Sequence, residues 1–231
     1  VTVTMAKEAI QSVKDAIAML SEGYSEEKIA ILKETEDLVD RYEDNIGTYL
    51  VKLSGLNMSE ADNAECNTLL HLISDFERIS DHSVNVLESI EELKEKKIEF
   101  SDSAKKELSV LCNAVDEIVI HTENAFVNND LSVAHNVEPL EEVIDALKRI
   151  LRNSHVVRLK GGECTVEAGF VWADLLTDFE RVGDHCSNIA LGIIDTNNNN
   201  MNAHEMLHAI HHDDTDFKQK FIEYSKKYSI Q

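Results

Sequence analysis

An eleven-residue motif occurs twice in this chain. Residues 75–85 read DFERISDHSVN and residues 178–188 read DFERVGDHCSN, identical at seven of the eleven positions and offset by 103 residues. Upstream of each copy lies an acidic pair with four-residue spacing, Glu36/Asp40 before the first and Glu141/Asp145 before the second, offset by 105 residues. Two motifs repeated in the same order mark the duplication of a structural unit of roughly 100 residues, the size of a small domain. We therefore divide the chain into a first repeat over 1–100, a second over 101–196 and a tail over 197–231.

The unit that was duplicated is helical. The 231 residues contain one proline and eight glycines, and strand-rich folds need many turns built from those residues. Apolar periodicity predicts helices over about 3–21, 26–54, 60–96, 102–128, 131–157 and 164–196, with a further one over 203–228. Ser59 and Ser101 are placed as N-caps, and the run Asn128, Asn129, Asp130 ends the fourth helix. Pro139, inside the fifth, should kink it or open a new turn just ahead of Glu141. The expected fold is all-α: two tandem three-helix bundles with an extra C-terminal helix. Aromatic residues are 6% of the chain against 43% hydrophobic, so the core should be aliphatic.

On the third helix, Leu69, Leu72, Ile73, Phe76, Ile79, Ser83, Leu87 and Ile90 share one face, with Glu77 and Asp81 on one flank and Asp75 and His82 on the other. The sixth helix repeats the pattern around Phe179, with Glu180 and Asp184 on one flank and Asp178 and His185 on the other. If the second helix neighbours the third, and the fifth the sixth, four carboxylates converge in each repeat. Such a group repels itself unless a cation or bound protons neutralise it. Oxygen ligands suit Mg, Ca or Mn, and several carboxylates with a histidine also suit Fe or Zn. The bland alternative is that these acids pair with Arg78 and Arg181 or coat the surface. Duplication in register favours the metal. The residues leave open whether Asn85 and Asn188 satisfy a helix backbone or orient a ligand.

With 44 acidic against 22 basic residues, the net charge of -22 repels nucleic acid and anionic lipid. No apolar run is long enough to insert into a membrane, and Cys66, Cys112, Cys164 and Cys186 form no CxxC pair, which reads as reduced thiols in the cytosol. The segment His204-Glu205-Met206-Leu207-His208 matches the HExxH zinc-protease pattern, but a protease also needs a third ligand and a substrate cleft. We read it as part of an amphipathic helix packing through Met206, Leu207, Ile210, Phe217, Phe221 and Tyr224, with His204, His208 and His211 on a shared face that could take a divalent metal. A carboxylate-bridged di-metal enzyme is the main competing class. Its Glu-x-x-His pairs are missing from both repeats. A helical adaptor whose acids are surface charge is the third.

The duplicated D-F-E-R-I/V-x-D-H-x-x-N, with E-x-x-x-D upstream, resembles the signature of the PhoU family over about residues 1–196. The stretch Asn153-Ser154-His155, Arg158-Leu159, Gly162-Glu163-Cys164 and Asp174-Leu175-Leu176 is most similar to the C-terminal PhoU domain of bacterial sodium/phosphate cotransporters. The first residue, Val1, suits a piece of a longer protein. The resemblance implies a non-enzymatic, cytoplasmic regulator of phosphate transport at the inner face of the cell membrane. It would be attached to or docked on a sodium/phosphate cotransporter, with a homodimer left open. The alternative is a stand-alone regulator of a phosphate ABC transporter and its signalling kinase. The metal ligands it implies are Glu36, Asp40, Glu77, Asp81, Glu141, Asp145, Glu180 and Asp184, holding divalent or trivalent ions in single or multinuclear sites. Ser80, where the second copy has Gly183, departs from the pattern.

Overall fold

Each break in the apolar periodicity carries its own stop and start chemistry in the computed structural model, which describes residues 1–198 and 215–230. Helix α1 (Thr2–Glu22) stops at Gly23, whose φ of 99° a side chain would resist. Ser25 then caps α2 (Glu26–Ser54) by accepting the Lys28 N–H. Ser59 caps α3 (Glu60–Glu95) through the Asp62 N–H, and Ser101 caps α4 (Asp102–Asn128) through the Ala104 N–H. Asn129, in the left-handed region at φ 50°, ends α4. Asp130 next caps the one-turn α5 (Leu131–Ala134).

The fifth predicted helix is therefore two. After α5 the chain restarts as α6 (Val137–Lys160), which puts Pro139 in the first turn, where its missing N–H has no partner to lose. Helix α7 (Val166–Asn198) follows the turn at Gly161 and Gly162, and α8 (Thr215–Lys227) closes the described chain. The predicted stretch 203–214, with His204, Met206, Leu207, His208, Ile210 and His211, lies outside the described residues. Among the described residues every regular element is helical. No described helix is long and apolar enough to cross a membrane.

Helices α1–α3 pack on one another, as do α4, α6 and α7, and the broadest contact in the molecule is α3 against α7. The core is continuous and largely aliphatic, running from Met5, Ile10 and Leu32 to Leu147, Leu175 and Ile189, with Phe76, Phe179 and Trp172 as its largest members. Phe76 meets Phe126 edge to face at 4.9 Å. Where α3 and α7 cross, a Cβ on Gly192 would stand 2.8 Å from the Leu72 side chain, so glycine sets how closely the two helices approach. Helix α8 lies on α6, with Phe217 buried and Phe221 and Tyr224 against the core.

Candidate metal centre

Packing of α2 on α3 and of α6 on α7 brings together the acid pairs of each repeat. In the first repeat, burial, then the Asp81 carboxylate, then Asp37 and Asp40 push the Glu36 carboxyl above its ordinary value. Burial and Asp81 push Glu77 to about 7, with Glu43 adding to the rise and Arg78 opposing it. Glu43 is itself raised by burial, Asp44 and Asp40. Asp40 stands at the exposed rim. Among the described residues, none of Glu36, Asp40, Glu43, Glu77 and Asp81 forms an ion pair with lysine or arginine. Glu36, Glu43 and Glu77 are half-buried, and burial together with neighbouring carboxylates disfavours the charge of all three.

The second repeat assembles Glu141, Asp145, Glu180 and Asp184 in the same way, but with cations among them. Burial, followed by Glu138, Glu142, Asp184 and Asp145, pushes Glu141 to about 9. Burial and Glu180 raise Asp184, against the pull of Arg181 and His185. Lys148 Nζ sits 2.9 Å from Glu180 Oε2, Arg149 Nη1 3.2 Å from Asp145 and Arg181 Nη1 3.2 Å from Asp184. The buried Glu138 accepts a hydrogen bond from the Ser187 hydroxyl.

All eight expected ligands thus fall into two clusters. Among the described residues, no three His, Cys, Asp or Glu side chains stand gathered closely enough to hold a metal ion as they are. A hard cation with oxygen ligands fits the first cluster by its donor chemistry, because among the described residues no lysine or arginine forms an ion pair with its carboxylates. The second cluster is already partly balanced. Glu43 and Glu138 were not among the expected ligands. Glu43 was legible as the next residue on the Glu36/Asp40 face, seven positions on from Glu36.

The opposite flank of the motif has another use. His82 Nδ1 lies 3.0 Å from Asp178 Oδ1, and Asn85 Nδ2 donates to the same oxygen at 3.2 Å. Reciprocally, His185 Nδ1 lies 2.8 Å from Asp75 Oδ1, and Asn188 Nδ2 donates to it at 3.2 Å. The two imidazoles stack with centroids 5.7 Å apart. Partner numbers rise along α3 as they fall along α7, so the helices are antiparallel. Asn85 and Asn188 each donate to a carboxylate of the other repeat. They hold one repeat to the other.

The comparisons with known proteins bear on the family and on the fold. A family model described as "PhoU domain" matches residues 2–90 and 108–193. A phosphate-specific transport system accessory protein PhoU homolog from Thermotoga maritima is 33% identical over 127 residues, which is 55% of this chain and 54% of that protein. The match thus spans about half the length of that relative. A PhoU homolog of the same description from Clostridium acetobutylicum is 21% identical over 80% of this chain and 83% of its own. The fold resembles the crystal structure of PhoU from Pseudomonas aeruginosa, with a TM-score of 0.77 at 21% identity, over 86% of this chain and 94% of that one. It also resembles the phosphate transport system regulatory protein PhoU from Streptococcus pneumoniae, with a TM-score of 0.75 at 16% identity, over 87% and 93%. These are stand-alone PhoU proteins, and the finer resemblance to a cotransporter's C-terminal domain finds no support among them. With the family model matched over most of the chain and through both repeats, this chain belongs to the PhoU family.

Proposed function

We propose that this chain is a cytoplasmic regulator of phosphate transport that acts by docking on a membrane transporter and catalyses no reaction. The observation that carries the reading is the PhoU match through both repeats, on a helical scaffold like that of phosphate transport regulatory proteins. The named relatives favour a stand-alone regulator of a phosphate-specific transport system. Attachment to a sodium/phosphate cotransporter, favoured by the stretch from Asn153 to Leu176, is the second reading. The acid cluster of the first repeat is a metal site in this proposal, with a divalent or trivalent cation holding α2 to α3 where carboxylates would otherwise repel.

Radiolabelled phosphate uptake in cells lacking this chain tests the proposal. Deletion should change uptake, and restoring the chain should reverse the change. A change confined to sodium-independent uptake supports the stand-alone regulator, whereas a change confined to sodium-dependent uptake supports the cotransporter. Identical uptake in both strains at low and at high external phosphate sinks the regulatory reading.

A further inference from the structure

The duplicated acid clusters are not equivalent, and the difference can be read position by position. Helices α2 and α6 align at an offset of 105: Leu32, Val39, Ile46 and Leu50 are buried, and so are Val137, Ile144, Leu151 and His155. In that register Glu36 and Asp40 answer to Glu141 and Asp145, and Glu43 answers to Lys148. At the next position Asp44 answers to Arg149. Where the first repeat adds a carboxylate beside Glu77, the second places an ammonium 2.9 Å from Glu180, the counterpart of Glu77.

We propose that Lys148 is the resident counter-ion of the second cluster, so that a divalent cation binds in the first repeat and is excluded from the second. This rests on the metal reading given above. The Lys148 and Glu180 side chains are only 22% and 16% exposed, so the pair is shielded from solvent in a way surface ion pairs are not. A metal would have to break it and leave the ammonium without its partner. Being tethered, the ammonium also competes at a high effective local concentration. Arg149 and Arg181 add positive charge to Asp145 and Asp184, but at 66% and 56% exposure they are screened and weigh less. Arg78 occupies the place of Arg181 in the first repeat, so that arginine does not distinguish the clusters, and Arg149, which replaces Asp44, is largely exposed. Lys148 distinguishes them.

The test uses the full chain, stripped of metal, dialysed to equilibrium against Mn2+ alone and separately Zn2+ alone, with bound metal counted by element analysis. Helicity is followed by circular dichroism. Glu77→Gln with Asp81→Asn should abolish binding, and Glu180→Gln with Asp184→Asn should leave it at the wild-type level. Lys148→Glu should raise the metal bound per chain, as should the milder Lys148→Gln, which removes the ammonium without adding charge. Equal loss from the two double variants overturns the asymmetry while leaving the metal reading intact. So do folded Lys148 variants that bind no more than wild type. If neither wild type nor any Lys148 variant binds metal, the metal reading fails and this inference with it.

Discussion

Glu77 sits where burial and the Asp81 carboxylate both disfavour its charge, which ties the stability of the metal-free chain to pH. Its folded value of about 7 lies above the ordinary 4.5, so between those values the folded state holds a proton that the unfolded state has released. The stability this confers is fully present below about pH 4.5 and is lost as pH rises through about 7. Glu141, at about 9, carries the same trend further up. The metal-free chain should therefore melt at a lower temperature at about pH 8 than at about pH 5. Glu77→Gln should flatten part of that slope, and a slope unchanged by the substitution would show the carboxyl to be unstrained. The acid pairs were legible in the sequence because four-residue spacing on a helix puts side chains on one face. The exchange partners of Asp75, His82 and Asn85 were not legible, since each lies about a hundred residues away and only the packing of α3 on α7 names it. Ser80 stood out as a departure from the second copy's glycine, but the sequence did not show that its side chain is fully buried and that its hydroxyl has no hydrogen-bond partner among the described residues.

Among the elements, α8 is held on the second repeat by a small polar set. Lys227 Nζ lies 2.7 Å from Glu117 Oε1, the Tyr228 hydroxyl donates to the same carboxylate, and the Tyr224 hydroxyl meets His121 Nε2 at 3.2 Å. Burial would raise Glu117, yet the hydrogen bonds from Lys227 and Tyr228 bring it below its ordinary value. A depressed carboxyl stabilises above its unfolded pKa and ceases to do so as pH falls through its folded one, so acid should release α8 first. Tyr228→Phe should cost about 0.5–1.5 kcal/mol. Hydrogen exchange should then quicken over 215–227 and stay unchanged over 60–95; uniform quickening would mean that α8 is integral to the core. Elements with clear caps were found by their caps, as at Ser59, Ser101 and Asn129. The division of α5 from α6 was missed at His135 and Asn136, because Asp130 looks like the cap of one long helix and the apolar pattern runs on across the break.

At the scale of the whole molecule, the contact of α3 with α7 decides whether the repeats stay together. Each of Asp75 and Asp178 accepts from a histidine and an asparagine of the other repeat, so Asp75→Ala or Asp178→Ala leaves two donors without their acceptor. Either substitution should cost about 1–3 kcal/mol in chemical denaturation. His82→Ala combined with Asp178→Ala should cost less than the sum of the two alone. Strict additivity would mean that the pair is not coupled. His82 and His185 occupy the same position in their respective copies, and they touch. Equivalent residues meet in this way only beside a two-fold axis, so the contact has the form of an isologous dimer interface closed within one polypeptide. The Asp, His and Asn of the motif are self-complementary: each copy supplies both the lock and the key. A change written into both repeats therefore acts twice at one place, as it would in a homodimer. This chain carries its own second subunit.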